Sequence, residues 1–401
     1  MGGLKTLDDW LIYQQNLHTK EIDLGLSRIQ KVYQKLFPNG VDFKVITVAG
    51  TNGKGSTIAF IASIYQQANI KIGAFTSPHI EQYNERFYIN GKMAKDAQIC
   101  SAFAQIERVR GAISLTYFEF STLAALLIFA SENIQIAALE IGLGGRLDSV
   151  NVVDSDAAVI TSIDIDHAEF LGSNREAIGI EKAGIMRAGK PCVCGDTKPP
   201  KTIQQVAQKI GAKLTFVNQP YLGKISLQGK QQRQNAALAI AAIKLLPDFV
   251  ITQKQISAGI KNAQLAGRFQ SKNINGKTLI LDVAHNPAAI EALANTLQKK
   301  PQPTLAIFSA LKDKDIAQMI DNIAPLIDEW LLLPIESQRA ISMPDLSKKF
   351  GLSAKIKICE NMPVALHQAL HNSQVQRIVI FGSFYVVADA LKVVKSNLIK
   401  P

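Results

Sequence analysis

The sequence predicts an α/β protein of two unequal domains, each built on a mostly parallel β-sheet. Short apolar, β-branched segments alternate with helix-patterned segments, which is the order that parallel βαβ units require. The pattern resets at Gln264–Gly276, a stretch with two glycines and few apolar residues. The chain has 401 residues, of which 47% are hydrophobic and 19% charged, so it can form two or three cores and is not disordered.

The elements follow in order along the chain. Helical spacing predicts helices in the first 40 residues, and the apolar segment Phe43–Ala49 predicts a buried strand. The pattern Tyr117–Ser131 is apolar nearly all round and predicts a buried helix. The other predicted helices are Ser56–Ala68 and Arg175–Arg187, and the other predicted strands are Lys71–Ser77, Ile134–Ile141, Ala157–Ile163, Pro191–Cys194, Thr278–Ala284, Leu305–Ser309, Trp330–Leu333 and Arg377–Gly382.

Composition limits the classes of function. Lys and Arg number 44 against 33 Asp and Glu, so the net charge of +11 favours an anionic partner such as nucleic acid, an acidic membrane or a polyanionic small molecule. The basic residues are scattered and aromatic residues make up only 7%, which argues against a nucleic-acid groove. No apolar run approaches the roughly 20 residues that span a bilayer. The acidic N-terminus is unlike a signal peptide. We therefore expect a cytoplasmic protein that binds neither nucleic acid nor membrane.

The clearest local signal is GTNGKGST, residues 50–57, which follows a predicted strand and opens a predicted helix. Glycines let backbone N–H groups point at phosphate oxygens, and the helix N-terminus adds partial positive charge. Lys54 can reach the β- and γ-phosphates, and Ser56 or Thr57 can face Mg²⁺. The spacing departs from the Walker form because Gly55 stands between Lys54 and Ser56. The alternative is a glycine-rich turn without a ligand, which the agreement of strand, loop, lysine and helix disfavours.

The motif LEIGLGGRLD, residues 139–148, puts a carboxylate at the end of an apolar strand. Burying Glu140 there is costly unless it is paired or holds a metal ion, and the alternative to a metal is a salt bridge with Arg146. The glycines do not complete G-x-G-x-x-G, because Leu147 occupies the sixth position. A dinucleotide site is therefore not expected.

Similar polar groups follow other strands. TSIDIDHAEFLG places Asp166 and His167 directly after a strand, where ligands gather in open α/β sheets. Beside a phosphate loop and Glu140, this placement favours Mg²⁺ chemistry. In TSPH, Ser77 could offer a hydroxyl to a metal, and the role of His79 is less clear.

Later motifs carry weaker signals. Lys182, in EKAGIM, is expected on a solvated helix face. In the second domain Asp282 ends an apolar strand in DVAHNP, where Pro287 suits a first helical turn. Arg268, in GRFQ at the domain junction, could clamp a phosphate. The pair His367 and His371 lacks the Glu of H-E-x-x-H, so no metal role is expected. The four cysteines include no zinc-type spacing and predict neutral thiols in a reducing compartment.

Together, these motifs resemble one family. GTNGKGST, TSPH, TYFEFSTLAAL, LEIGLGGRLD, TSIDIDHAEFLG, EKAGI, QNAALAI, GRFQ, DVAHNP and DKD occur in one order across nearly the whole chain. The combination resembles the folylpolyglutamate synthase/dihydrofolate synthase family of the Mur ligase superfamily. NLHTKEIDLGLSRI, residues 16–29, is similar to the pterin-binding segment of the bacterial bifunctional members.

The resemblance implies a phosphate-loop ATPase-type domain at 1–271 that binds ATP and pterin, and a smaller Rossmann-like glutamate-ligase domain at 272–401. It implies catalytic roles for Lys54, Lys182 and His167, with Lys182 similar to a lysine that the family carries as a carbamate. The implied ATP contacts are Thr51, Asn52, Gly53, Lys54, Gly55, Ser56, Asn235, Arg268 and Asp282; the implied Mg²⁺ ligands are Ser77, Glu140, His167 and carbamylated Lys182; and the implied pterin site is Asn16, Leu17, His18, Thr19, Thr116, Tyr117, Phe118, Glu119, Leu147, Asp148 and Ser149.

The implied reaction adds L-glutamate to dihydropteroate or to the glutamate tail of a folate. A substrate carboxylate attacks the γ-phosphate of ATP, and the amine of glutamate then displaces phosphate from the acyl phosphate. A monomer is expected. Two alternatives are a phosphate-loop NTPase that binds nucleic acid and a Mur ligase for cell-wall precursors, and NLHTKEIDLGL and TYFEF argue against the second. The sequence leaves open whether this one chain makes both additions.

Overall fold

The computed structural model describes residues 6–352 and 354–396, and the chain divides into two compact units. The first unit holds residues up to His79, Tyr83–Ser226 and Gln232–Gln264, and the second holds Ile80–Gln82, Leu227–Gln231 and the chain from Leu265. The domain limits expected from the sequence, 1–271 and 272–401, include residues 1–5, 353 and 397–401, which lie outside the described part. The boundary at 271 stays a prediction.

The first unit is built on an eight-stranded sheet of order β4-β3-β2-β5-β1-β6-β7-β8. Neighbours from β2 to β8 pair in parallel, while β3 and β4 add an antiparallel edge. This arrangement confirms the mostly parallel sheet. The strands are β1 (Lys44–Ala49), β2 (Ile72–Phe75), β3 (Phe87–Ile89), β4 (Lys92–Met93), β5 (Ile136–Glu140), β6 (Ala157–Ile160), β7 (Pro191–Cys194) and β8 (Lys213–Phe216).

Ten helices connect and cover these strands within the described residues. The predicted buried helix is α5, which begins with a reciprocal capping box between Thr116 and Glu119 and buries most of its length. The helices are α1 (Leu7–Gln15), α2 (Ser27–Leu36), α3 (Lys54–Gln67), α4 (Asp96–Arg110), α5 (Tyr117–Ser131), α6 (Ala168–Leu171), α7 (Arg175–Ala183), α8 (Lys201–Ile210), α9 (Lys230–Ile243) and α10 (Gln253–Asn262). No described helix is long and apolar enough to cross a membrane.

The second unit has a six-stranded sheet of order β13-β12-β11-β14-β10-β9, parallel except for the edge strand β9. Alternate strand residues such as Leu279 and Ile280 enter two separate apolar clusters, so the sheet is covered on both faces. The elements are β9 (Gln270–Ile274), β10 (Lys277–Leu281), α11 (Pro287–Leu297), β11 (Thr304–Phe308), α12 (Ile316–Ile323), β12 (Glu329–Leu332), α13 (Met343–Ser347), β13 (Ile356–Ile358), α14 (Met362–His371), β14 (Arg377–Phe381) and α15 (Phe384–Lys395).

Two predicted segments differ clearly from the structure. The polar stretch Gln264–Gly276, where the pattern resets, contains β9. This strand pairs regularly with β10 in antiparallel orientation, but its exposed, polar side chains give no strand pattern in the sequence. The helix predicted to Arg187 ends at Ala183. A Cβ on the next residue, Gly184, would lie 2.6 Å from Cα of Arg146, so the chain turns there in close contact with another backbone.

Candidate functional site

Four neighbouring strands of the first sheet end at one edge and bring the predicted site residues together. The order β2-β5-β1-β6 places Ser77, Glu140, the phosphate loop and His167 after successive strands. The parallel register pairs Val48 of β1 with Glu140 of β5, so the loop begins beside that carboxylate. This edge is where open α/β sheets bind ligands.

The phosphate loop depends on two glycines. Gly50 has φ +152°, and a Cβ there would lie 1.7 Å from Thr161 Oγ1. Gly53 has φ +89° and is the N-cap of α3, and a Cβ there would lie 2.5 Å from Asn235 Oδ1. That oxygen is buried and has no hydrogen-bond partner among the described residues. Glycine is therefore required at both positions, because any side chain at Gly50 or Gly53 would clash with Thr161 or Asn235.

Lys54, the first residue of α3, folds over this loop. Its Nζ donates to the carbonyl oxygens of Gly50 and Thr51, at 3.0 and 3.2 Å. The hydroxyl of Thr57 donates to the Gly53 carbonyl within the helix. The ammonium group thus lies at the loop, beside the helix N-terminus that attracts anions.

Glu140 is the last residue of β5 and is only 5% exposed. Its Oε2 accepts a hydrogen bond from the Ser77 N–H at 3.1 Å, which brings together two of the predicted metal ligands. The alternative salt bridge with Arg146 is wrong, because Arg146 donates to Glu181 through both Nε and a terminal nitrogen. The role of Glu140 as a metal ligand stays a prediction.

Lys182 is buried, which corrects the expectation of a solvated face. It lies in the last turn of α7 and is 3% exposed. Burial, reinforced by the positive charge of Lys54, lowers the pKa of Lys182 to about 7, against the opposing effect of Asp166 and Asp148. The structure thus supplies an amine that is partly neutral near neutral pH.

His167 adopts a left-handed backbone conformation with φ +52° as the N-cap of α6. Its N–H donates to Asp166 Oδ1 at 2.9 Å, and its carbonyl accepts from Phe170 and Leu171. Left-handed non-glycine residues cluster at functional sites because the surrounding structure must hold them there.

Residues from the predicted pterin site also meet in the first unit. His18 contacts Ser114 Oγ at 2.9 Å, and the Gly25 N–H donates to the Leu147 carbonyl. The N-terminal segment therefore lies against the start of α5 and the loop at 147–149. Ser149 and Thr122 share a hydrogen bond, and the ring of Phe118 stacks on Phe75 with centroids 5.7 Å apart. Asn16 makes only a local hydrogen bond to Ile12, and no contact of Thr19 points to a ligand.

Asp148 of the same loop is 2% exposed and accepts hydrogen bonds from the N–H groups of Leu143 and Val150. Burial raises the pKa of Asp148 to about 6, although these backbone donors and Lys54 oppose the shift. Sequence reasoning assigned Asp148 to pterin only. Its electrostatic interaction with Lys54 also connects it with the phosphate loop, and it interacts with Lys182 as well, which no spacing in the sequence signals.

The second unit holds its predicted residues in a compact turn. Asp282 follows β10 and accepts from the N–H groups of Phe269 and Ala284, both at 2.8 Å. Burial raises the pKa of Asp282, whereas nearby Arg268 opposes the rise. The guanidinium of Arg268 lies 5.6 Å from the centre of the Phe384 ring. Pro287 begins α11, as predicted.

Comparison with known proteins identifies the family. Residues 48–217 match the Mur ligase middle domain, and residues 267–384 match the Mur ligase glutamate ligase domain. The dihydrofolate synthase/folylpolyglutamate synthase of Escherichia coli (strain K12) is 37% identical over 98% of this chain and 96% of its own. The chain belongs to the dihydrofolate synthase/folylpolyglutamate synthase family of Mur ligases.

Solved structures of this family match 98% of the chain. A structure described as Escherichia coli FolC in complex with DHPP and ADP has a TM-score of 0.92 and 37% identity, covering 98% of this chain and 99% of that one. A bifunctional folylpolyglutamate synthase/dihydrofolate synthase with Mn, AMPPNP and L-glutamate bound has a TM-score of 0.88 and 37% identity, covering 98% of both chains. The predicted fold class, with a phosphate-loop domain and a smaller Rossmann-like domain, is thus confirmed.

The double glycine of this dihydrofolate synthase/folylpolyglutamate synthase family member has a packing role. A Cβ on Gly145 would lie 2.6 Å from the Glu181 carbonyl oxygen and 3.1 Å from Cα of Lys182. The Arg146 N–H donates to that same carbonyl at 2.8 Å. The glycine lets the loop touch the backbone of α7 beside Lys182, so it helps to position the lysine.

The histidine and cysteine residues outside this edge show no grouping of metal ligands. His367 and His371 stack with ring centroids 4.1 Å apart on α14. Within residues 6–352 and 354–396, no three His, Cys, Asp or Glu side chains are grouped as a metal site. A cation at Glu140 would therefore need other oxygen donors as well.

Proposed function

We propose that this chain is an ATP-dependent ligase that adds L-glutamate to dihydropteroate and to folate glutamate tails through an acyl phosphate. The observation that carries the proposal is the edge formed by the phosphate loop, Glu140 and buried Lys182, in a chain of which 98% is matched by a dihydrofolate synthase/folylpolyglutamate synthase. The cytoplasmic location and the monomeric state expected from the sequence are part of this proposal.

The loop suits the phosphates of ATP. Gly53 is the N-cap of α3, whose first N–H groups have no acceptor within the helix, and Lys54 Nζ already lies over the loop. Asn235 offers an unpartnered buried oxygen beside Gly53, where a donor of the nucleotide could bind. We therefore assign the nucleotide to residues 51–56 and Asn235. Arg268 and Asp282 of the second unit stay proposed nucleotide contacts.

The donors at this edge fit Mg²⁺. Glu140 and Ser77 supply hard oxygen ligands, and Mg²⁺ is commonly held by one or two carboxylates together with substrate phosphates. This mode of binding agrees with the absence of a three-residue ligand cluster in the described chain. When bound, Mg²⁺ would stabilise charge that develops on the transferred phosphoryl group. We assign Ser77, Glu140 and His167 as its protein ligands.

Lys182 fits the proposed carbamate. CO₂ reacts with a neutral amine, and burial already lowers the pKa of Lys182 to about 7. A carbamate would convert this amine into an anionic oxygen ligand for a second cation and would release a proton. The approach of Gly145 to the backbone of Lys182 holds the side chain at this edge.

In the proposed reaction the substrate carboxylate attacks the γ-phosphorus, and the bond to the β-phosphate oxygen breaks to release ADP. Lys54 neutralises charge on the phosphate oxygens as this bond breaks. The neutral amine of L-glutamate then attacks the acyl carbon, inorganic phosphate leaves, and the amine loses its proton as the amide forms. The pterin would be held by residues 16–19, 116–119 and 147–149, where His18, Phe118 and Ser149 are anchored.

L-Glutamate is assigned to the second unit, which matches a glutamate ligase domain. Ser309 directly follows β11, and its buried hydroxyl has no hydrogen-bond partner in the described residues. Lys314, five residues later, has a side chain only 5% exposed and pairs with Asp313, with Nζ 3.8 Å from Oδ2. A buried hydroxyl and a buried ammonium after the same strand suit a carboxylate.

One experiment tests the assignment. ATP turnover is measured with L-glutamate and dihydropteroate, and separately with L-glutamate and tetrahydrofolate. Turnover with both acceptors is expected, and Lys54→Ala should abolish it while the circular dichroism spectrum stays unchanged. Lys209→Met, on an exposed part of α8, serves as the matched lysine control and should retain full activity. Full phosphate release by Lys54→Ala would contradict the proposed role of the loop.

A further inference from the structure

The ion pair between Arg175 and Asp196, outside the proposed ligand set, binds the backbone of Ile163 in the segment that leads from β6 to His167. Arg175, the first residue of α7, donates two hydrogen bonds to the Asp196 carboxylate, at 3.0 and 2.9 Å. Asp196 Oδ2 accepts from the Ile163 N–H at 2.7 Å, and Arg175 Nε donates to the Ile163 carbonyl at 2.8 Å. Both backbone polar groups of one residue are thus held by a single carboxylate–guanidinium pair.

The residues on either side of Ile163 are bonded to the phosphate loop. The Thr51 N–H donates to the Ser162 carbonyl at 2.6 Å, and the Asn52 N–H donates to Ser162 Oγ at 3.2 Å. The Thr51 hydroxyl donates to the Asp164 carbonyl and accepts from the Asp164 N–H, at 3.0 and 2.9 Å. The ion pair and the phosphate loop therefore hold consecutive residues of one segment, which ends three residues later at His167.

Asp196 is suited to a fixed support. Its side chain is 6% exposed, and its second oxygen accepts from the Lys198 N–H at 2.8 Å as well as from Arg175. It follows β7, which pairs in parallel with β6. A buried carboxylate with its hydrogen bonds satisfied, two residues after a strand that is paired on both sides, is well fixed, whereas segment 164–167 has no regular secondary structure.

We propose that Arg175 and Asp196 are positioning residues that set the segment Thr161–His167, and through it both the phosphate loop and the metal ligand at His167. The inference rests on the proposed function, because the metal role of His167 belongs to it. The pair touches neither nucleotide nor metal in this scheme. It acts by restricting the backbone that carries their ligands, which is the role that outer-shell partners have at metal sites.

The test uses Arg175→Lys, which keeps the charge but cannot bond both carboxylate oxygens and the Ile163 carbonyl in one fork. In the ADP complex, Mn²⁺ affinity measured by electron paramagnetic resonance should fall about tenfold. Amide hydrogen exchange of peptides covering residues 159–171 should accelerate in the metal-free enzyme. The KM for L-glutamate should not change. Asp196→Asn, which keeps one acceptor for the Ile163 N–H, should show the same effects, and the double variant should be no worse than either single one.

The matched control is Arg110→Lys, in the same unit. Arg110 also makes a two-pronged ion pair, with Glu107, and donates to the Gly111 and Ile113 carbonyls. This variant should lose thermal stability without a change in Mn²⁺ affinity. Unchanged Mn²⁺ affinity and exchange in Arg175→Lys, or an equal shift in Arg110→Lys, would overturn the positioning role. His167→Ala distinguishes a failure of the proposed function from a failure of this inference. Unchanged Mn²⁺ affinity in His167→Ala would contradict the metal role of His167. The hydrogen exchange of Arg175→Lys would still test the positioning role of the ion pair.

Discussion

The buried amine of Lys182 makes a prediction about stability that requires no substrate. Replacing it with methionine keeps the chain length and the apolar contacts of the stem while removing the ionisable nitrogen. Because Lys182 is 3% exposed and lies near the charge of Lys54, its protonated form is poorly tolerated in the folded state. Lys182→Met should therefore change how stability depends on pH, as well as stop glutamate addition.

The sign and size follow from linkage. The folded pKa of Lys182 is lowered from 10.5 to about 7, so between these values the unfolded chain binds the proton and the folded chain does not. The contribution of Lys182 to stability is therefore fully present only above the unfolded pKa of 10.5, is lost progressively as the pH falls toward the folded pKa of about 7, and levels off below it. Integrating from pH 6 to pH 9 gives about 3 kcal/mol in favour of the higher pH. Lys182→Met lacks this contribution.

Urea unfolding at a series of pH values measures the contribution of Lys182 to the free energy of unfolding. With EDTA and CO₂-free buffer, the free energy of unfolding of the wild type minus that of Lys182→Met should rise by about 3 kcal/mol between pH 6 and pH 9. Lys209→Met, which removes an exposed lysine, should run parallel to the wild type. Bicarbonate should then stabilise the wild type and leave Lys182→Met unaffected. A difference curve independent of pH would refute the buried, neutral amine.

Two further predictions concern single contacts. Gly53→Ala should weaken ADP binding, measured by calorimetry, by about 2 kcal/mol, because φ +89° and the 2.5 Å approach to Asn235 Oδ1 both disfavour a Cβ; unchanged affinity would show that the loop relaxes freely. Arg28→Met should raise the KM for dihydropteroate and lower the unfolding free energy by about 3 kcal/mol, because Arg28 pairs with the buried Glu119 at the start of α5. An unchanged KM for dihydropteroate in Arg28→Met would contradict a role of Arg28 in holding the pterin segment.

The central strands were predictable because burial on both faces leaves an apolar, β-branched run in the sequence. Segments such as Phe43–Ala49 and Pro191–Cys194 correspond to β1 and β7. The edge strands were not, because each pairs on one side only and carries exposed side chains. β9 (QSKNI) and β8 (KLTF) lack the apolar signal, and their positions depend on backbone pairing with β10 and β7.

The site residues were predictable where a polar or glycine-rich segment lies directly at the end of a strand in the sequence. The loop at 50–53 and Glu140 needed only a strand end and a residue type, and both lie at the predicted edge. Lys182 could not be placed, since its burial depends on Gly145 touching the backbone of α7 from a loop 37 residues earlier. The Arg175–Asp196 pair could not be predicted either, because its proposed role depends on hydrogen bonds to the backbone of Ile163, which leave no pattern in the sequence.

The interacting charges at this edge make the pKa of Lys182 sensitive to a bound phosphate. Lys54 and Lys182 repel each other, while Asp148 and Asp166 partly offset that repulsion. A bound phosphate would favour protonated Lys182 and so oppose carbamylation, whereas a divalent cation placed between them would reverse the sign of that coupling. In the proposed reaction, nucleotide alone and nucleotide with Mg²⁺ therefore act in opposite directions on the same lysine. The net charge of +11 describes none of this, because the effect depends on two lysines and two acids at one edge of the sheet, of which Lys182 and Asp148 are buried.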